Sequence, residues 1–308
     1  MFRKGVVKVA YRNLFIESCA SLSCRQGQLI VMTDNKHSIP MEDINSIVLE
    51  NKQSTITIAT LSQLAQNGVS VFVCDEKHMP CAVLESFAQH SRNMGVMRLQ
   101  ETLSLPQQKR LWQQVVQAKI NNQAECLLLC NKEKESTYLF GLSKTVVSGD
   151  VKNVEAIAAS YYFKAIFGNR FSRGDEADGR NSALNYGYAI FRGIIARLLT
   201  GYGFLPMRGI HHHNEQNSFN LADDFIEPFR PVVDLYVAQF VNEKDLLVPV
   251  VKRNLYNLLN VDILSGGQRH SVAYAAERLV QSLIRCCQQT TKELMLPRLV
   301  ALKQHTYE

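Results

Sequence analysis

The chain has 308 residues, 46% of them hydrophobic and 20% charged, with a formal net charge of +6. That is enough chain for one large core or two ordinary domains, and the balance excludes a disordered or low-complexity protein. The mild positive excess is compatible with nucleic acid without identifying it as the partner.

No run of about 18 uninterrupted apolar residues exists, so no transmembrane helix is expected. Residues 1–5 lead into a strand-like pattern without the apolar stretch of a secretion signal, and a cytoplasmic location is the expectation. The eight cysteines include no CxxC pair. Cys126 and Cys130 stand four apart on an expected helix, but no second Cys/His pair is near to complete a structural zinc site.

Taken in order, the first elements read as strands at 6–11, 28–32, 46–49 and 69–74. They are short, rich in Val and Ile, and bounded by turn residues such as Asp34-Asn35 and Asn67-Gly68. One helix is expected among them at 60–66, with Leu61, Leu64 and Ala65 on one face and Gly68 ending it. After about residue 90 the apolar period turns helical. Beyond Pro106, Trp112, Val116, Ile120, Ala124 and Leu127 form a stripe with Lys and Gln between them. The expected fold is α+β: a small N-terminal β domain at 1–85, a connecting segment at 86–104, and a larger all-α domain at 105–308.

Two segments carry chemistry. The stretch GIHHHNEQNSFNLADDFIEPFRP at 209–231 places a His cluster in a loop ahead of a helix bearing acids, and Asp224 and Glu227, three apart, share a helical face. The stretch SGDVKNVEAIAASYYF at 148–163 reads as a helix start capped by Asp150 or Asn153. Glu155 then lies on a face with Ala158, Ala159 and Tyr162, where a buried carboxylate needs a partner or a metal. Carboxylates with an imidazole suit magnesium or manganese, the imidazole tilting the site toward manganese. The HExxH pattern of a zinc peptidase is absent. The structural alternative is an Arg or Lys partner for Glu155, with the His and acids of 209–231 facing solvent.

These segments resemble the CRISPR-associated integrase of the spacer-adaptation module, the Cas-one family, and are most similar to its type II branch. The resemblance rests on Gly149-Asp150 with Glu155-Ala156, the His cluster after Gly209-Ile210, and FNLADDFIEPFRP at 219–231. NSALNYGYA at 181–189 and VCDEKHMP at 73–80 also match, in order along most of the chain.

The resemblance implies metal ligands and catalytic residues at Glu155, His212 and Glu227, with Asp224 as an auxiliary. His212 is chosen over His211 and His213 because the type II branch places its His fifteen residues before the last acid, here Glu227. It implies a magnesium or manganese cofactor and an enzyme that inserts short DNA fragments as new spacers by transesterification. Implied partners are double-stranded prespacer and repeat DNA, a second copy of the chain, and a small ferredoxin-like adaptation protein. A ring-shaped DNA-end-binding protein and the RNA-guided effector nuclease complete the set, with no membrane. Candidate DNA contacts are Arg170, Arg173, Arg180, Asn185, Arg208 and Arg230. Two other functions compete: a stand-alone structure-selective nuclease using the same site, and a non-catalytic DNA-binding scaffold whose carboxylates are structural.

Overall fold

The computed structural model describes residues 12–75, 80–84, 86 and 93–306. The expected strand at 6–11 and residues 76–79 of the 73–80 match lie outside the described residues. The chain divides into two compact units, Met1–Gln89 and His90–Glu308.

Among its described residues, the first unit is built from eight short strands and one helix: β1 (Arg12–Ile16), β2 (Ser21–Arg25), β3 (Gln28–Met32), β4 (Lys36–Pro40), β5 (Ile44–Leu49), β6 (Thr55–Ile56), α1 (Ile58–Gln66), β7 (Ser70–Cys74) and β8 (Pro80–Leu84). They form two four-stranded sheets, ordered β1-β5-β7-β8 and β4-β3-β2-β6. β5 runs parallel to both β1 and β7, and five of its six residues are buried. Such double-sided burial is why Ile47, Val48 and Leu49 run on without polar alternation, although Asn45 and Ser46 are buried beside them. Leu22, Leu29, Ile44, Ile47, Leu64 and Val71 lie in the core of this unit. α1 begins at Thr57, whose hydroxyl accepts from the Thr60 amide. It ends with Val69 N–H donating to Leu64 O and Gly68 N–H to Ala65 O. Gly68 sits at φ +73°, the left-handed conformation this helix ending requires of its closing residue.

The second unit is dominated by helices: α2 (Asn93–Glu101), α3 (Leu105–Leu129), α4 (Glu133–Ser143), α5 (Val154–Phe167), α6 (Gly179–Gly201), α7 (Asn220–Ile226), α8 (Arg230–Phe240), α9 (Pro249–Asn257) and α10 (Val272–Cys287). A single hairpin, β9 (Asp262–Ser265) with β10 (Gln268–Ser271), interrupts them among the described residues. Of the segment 86–104, residues 93–101 form α2, which belongs to this unit.

α3 is the central element and packs against α4, α5 and α8. It opens with a capping box in which the Gln107 side chain accepts from the Ser104 amide, and Pro106 occupies its first turn. Its buried face carries Trp112, Val115, Val116, Lys119, Ile120, Asn122 and Gln123. The apolar stripe seen in the sequence is therefore real, but two polar groups and one charge share it. No helix of the described residues is long and apolar enough to cross a membrane.

Candidate active site

Three stretches converge on the middle of α3. The first is the start of α5. Asp150, itself at φ +47°, accepts from the Val154 amide on one oxygen and the Glu155 amide on the other, each at 2.9 Å. Asn153 occupies the cap position in left-handed conformation but makes no side-chain cap bond. The cap is thus Asp150, and it fixes the backbone of Glu155. Asp150→Ala should lower stability by about 1–2 kcal/mol, the usual loss of an N-cap. Thermal denaturation checks this.

The second stretch is the turn after α7. Glu227 and Pro228 end that helix in a short 3-10 turn. The buried Asn122 amide on α3 donates to the carbonyls of Pro228 at 2.7 Å and Pro297 at 3.0 Å, and its oxygen accepts from the Leu299 amide. This side chain holds the Glu227 turn against α3, one helical turn from Lys119.

Lys119 Nζ lies 2.6 Å from Glu155 Oε1 and 2.5 Å from Glu227 Oε2, its side chain only 10% exposed. The other Glu227 oxygen lies 2.9 Å from Arg230 Nε. Burial works against a charged Lys119, but the charges of Glu227 and Glu155 together raise its pKa. Burial likewise opposes a charged Glu227, while Lys119 and Arg230 together lower its pKa. The two acids, 72 residues apart in sequence, thus meet across one ammonium.

The third stretch is the His loop. Asn220 organises it, donating to the carbonyls of Met207, Asn214 and Asn217. Asp224 is fully buried and accepts from the backbone amides of Ile210, His211 and His212 and from His212 Nδ1 at 2.7 Å. Both its oxygens are engaged within the protein, so here it orients the loop rather than offering a lone pair. Gly209 is required beside it, since a Cβ there would stand 2.8 Å from Asp224 Oδ2.

The His211 ring stacks flat on Trp112, with centroids 4.1 Å apart and planes at 3°, and the His212 ring meets the same indole edge-on. Asp224 on Nδ1 fixes the tautomer of His212 and leaves Nε2 as its ligand atom. His213 is exposed.

The donor chemistry fits a cation. Two carboxylates already share one, and Glu227 Oε2 is buried with no aligned hydrogen-bond donor among the described residues. As folded, no group of three His, Cys, Asp or Glu among the described residues is gathered to hold a metal ion; the ammonium of Lys119 stands between the acids.

The family model described as CRISPR associated protein Cas1 matches residues 14–249. The chain belongs to the Cas1 family. It is 39% identical over 305 residues to the CRISPR-associated endonuclease Cas1 of Neisseria meningitidis serogroup C (strain 8013), covering 97% of this chain and 100% of that protein. Among solved structures it resembles a casposase bound to an integration product, with a TM-score of 0.75 at 18% identity over 92% of each chain. It also resembles a chain of a Cas6-RT-Cas1–Cas2 complex, with a TM-score of 0.71 at 18% identity, over 95% of this chain and 36% of that one. At such identities the structural likeness establishes the Cas1 fold. The α+β architecture expected from the sequence is the one found.

Of the site residues expected for a Cas1 family member, Glu155 and Glu227 are brought together, and His212 lies close enough to Glu227 for each to bias the other's protonation. The expected DNA contacts fall into two groups. Arg170 and Asn185 are exposed, and Arg208 is exposed with Glu101 at 3.9 Å. The other three are engaged internally. Arg180 binds the Asp178 carboxylate through Nε and Nη2 and lies over Phe167 and Phe171. Arg173 donates to Asn181 and Asn185, and both Arg173 and Arg230 lie over the Tyr188 ring. The asparagine motif at 181–189 therefore anchors Arg173.

Sequence reasoning passed over Lys119 and Asn122, and placed Trp112 only in the apolar stripe. Their spacing was the available signal: Trp112, Val116, Lys119 and Gln123 follow the three-and-four rhythm of one helical face, so a lysine on it faces the core.

Proposed function

We propose that this chain is a divalent-metal-dependent DNA integrase and endonuclease that inserts short DNA fragments as new spacers into a CRISPR array. The observation that carries the reading is the meeting of Glu155 and Glu227, from separate elements, at one buried cation beside an Asp224-oriented His212.

In this reading Glu155, Glu227 and His212 Nε2 hold a magnesium or manganese ion. When bound, that ion neutralises charge on the attacked phosphate and lowers the energy needed to deprotonate the incoming 3′-hydroxyl. The chain's own groups do the rest. Asp224 holds His212 Nδ1–H, so the imidazole presents an unprotonated Nε2. Trp112 walls the site through its stack on His211. Exposed Arg170 and Arg208 meet phosphates and set register without reading sequence. No Ser or Cys nucleophile is needed, because the attacking oxygen belongs to DNA. Water in its place gives plain cleavage, in keeping with the endonuclease name of the Neisseria relative.

The partners are double-stranded prespacer and repeat DNA, a second copy of this chain, and a small ferredoxin-like adaptation protein. A ring-shaped DNA-end-binding protein and the effector nuclease join in type II systems. The likeness to one chain of a Cas1–Cas2 complex supports the small partner.

The test is strand transfer of a short duplex into a repeat-containing plasmid with manganese or magnesium and the partner. Normal transfer by His212→Ala or Glu227→Ala overturns the site. Efficient cleavage without partner or repeat preference favours the stand-alone nuclease, and DNA binding with no metal-induced thermal shift favours the scaffold.

The site also carries a pH dependence. The hydrogen bond that His212 donates to Asp224 raises the His212 pKa above its ordinary 6.5 and outweighs the loss of hydration. A raised imidazole pKa adds stability that is fully present below about 6.5 and is lost as pH rises through the folded value. Metal binding runs the other way, because a protonated imidazole has no lone pair for the ion. The thermal shift produced by manganese should therefore grow from about pH 6 to about pH 8, the window of histidine titration. Melting curves in chelator and in manganese across that range check it.

A further inference from the structure

We propose that Lys119 is a resident counter-cation that a divalent ion must displace to enter the site. The inference rests on reading Glu155, Glu227 and His212 as the metal site, and goes beyond it by assigning a residue that sets how tightly and when the ion is held.

Position is the first argument. Nζ stands 2.6 Å from Glu155 Oε1 and 2.5 Å from Glu227 Oε2, so it occupies the place where an ion shared by those oxygens would lie. An ammonium and a small divalent ion at about 2.1 Å from the same oxygens exclude each other.

Charge balance is the second. The charges of Glu155 and Glu227 are already matched by those of Lys119 and Arg230, which face them. Adding a divalent ion while keeping Lys119 in place would bring excess positive charge into a largely buried site, and displacing the ammonium reduces that excess.

The choice of residue is the third. Lys119 carries a compact charge on a flexible four-carbon stem, able to swing aside while its backbone stays in α3. Arg230 is less able to do so, since its guanidinium is fixed over the Tyr188 ring 4.5 Å away. Lys119 holds the two acids within reach of one shared cation.

The test is calorimetric titration of manganese into the full chain and its Lys119→Gln and Lys119→Arg variants, with melting curves in chelator and in manganese. Lys119→Gln should bind manganese about tenfold tighter, the ordinary scale of coupling between two competing occupants. In chelator it should melt below wild type, and manganese should close that gap. Lys119→Arg should keep the chelator melting point and bind manganese no tighter than wild type.

Manganese binding by Lys119→Gln that is equal to or weaker than wild type overturns the proposal. A Gln variant that stays unfolded even with manganese present also counts against it, because an ion in that place supplies the missing charge. The underlying site fails separately: wild-type manganese binding that survives Glu155→Ala and Glu227→Ala removes the metal reading itself.

Discussion

Strand transfer by Glu155→Ala should fall by about three orders of magnitude while the chain stays folded, because a lost ligand removes several kcal/mol of charge stabilisation and each 1.36 kcal/mol is tenfold in rate. The fold should survive because Glu155 sits at the edge of the site, its side chain 22% exposed, and its removal leaves Lys119 paired with Glu227. The α5 start is held by Asp150 through backbone amides, which the substitution leaves in place. Single-turnover transfer with wild type and variant, alongside melting curves, separates the two readouts. Transfer within a few-fold of wild type would remove Glu155 from the metal site.

The second large effect is on stability. Asp224→Ala should lower the melting temperature by on the order of 10 °C and abolish manganese binding together. The carboxylate accepts three backbone amides and one imidazole, while being fully buried. Each buried donor left without an acceptor costs about 1–3 kcal/mol. For a unit of this size each kcal/mol is about 2–4 °C. His212 at the same time loses the bond that fixes its tautomer. A conservative comparison sharpens the reading: Asp224→Asn keeps the volume but turns an amide toward backbone donors, so it should recover little of the loss. A melting temperature unchanged in Asp224→Ala would show that the His loop is held by other contacts.

Another buried carboxylate marks how differently this fold uses its acids. Asp234 on α8 accepts from the hydroxyls of Tyr162 and Tyr188, and burial outweighs those bonds to push its pKa up to about 6. It ties α5, α6 and α8 together behind the Arg173–Tyr188–Arg230 stack. Glu227, seven residues earlier, is driven the other way by two cations. Burial raises the one acid against the pull of its two tyrosine hydroxyls, and Lys119 with Arg230 keeps the other charged.

Much of this was legible in the residues. The Val- and Ile-rich runs marked β3, β5 and β7, and the helical stripe after Pro106 marked α3, because burial on one or two faces leaves a period in the sequence. The Gly-Asp start before Glu155 and the acids after the His cluster marked the segments that the fold brings together at Lys119. The hairpin of β9 and β10 escaped notice, since each strand is four residues long and too short to establish a period.

The sequence by itself determined the family, the α+β order and the residue types of the site. Those are properties of local pattern and of motifs in order, and they need no coordinates. Only the tertiary structure decided which groups meet. It placed Lys119 between acids 72 residues apart, gave Asp150 rather than Asn153 the cap of α5, and turned Asp224 inward to hold His212. Such assignments depend on long-range packing of α3 against the α5 start and the Glu227 turn, and on backbone amides that every sequence carries alike. No spacing along the chain encodes them directly.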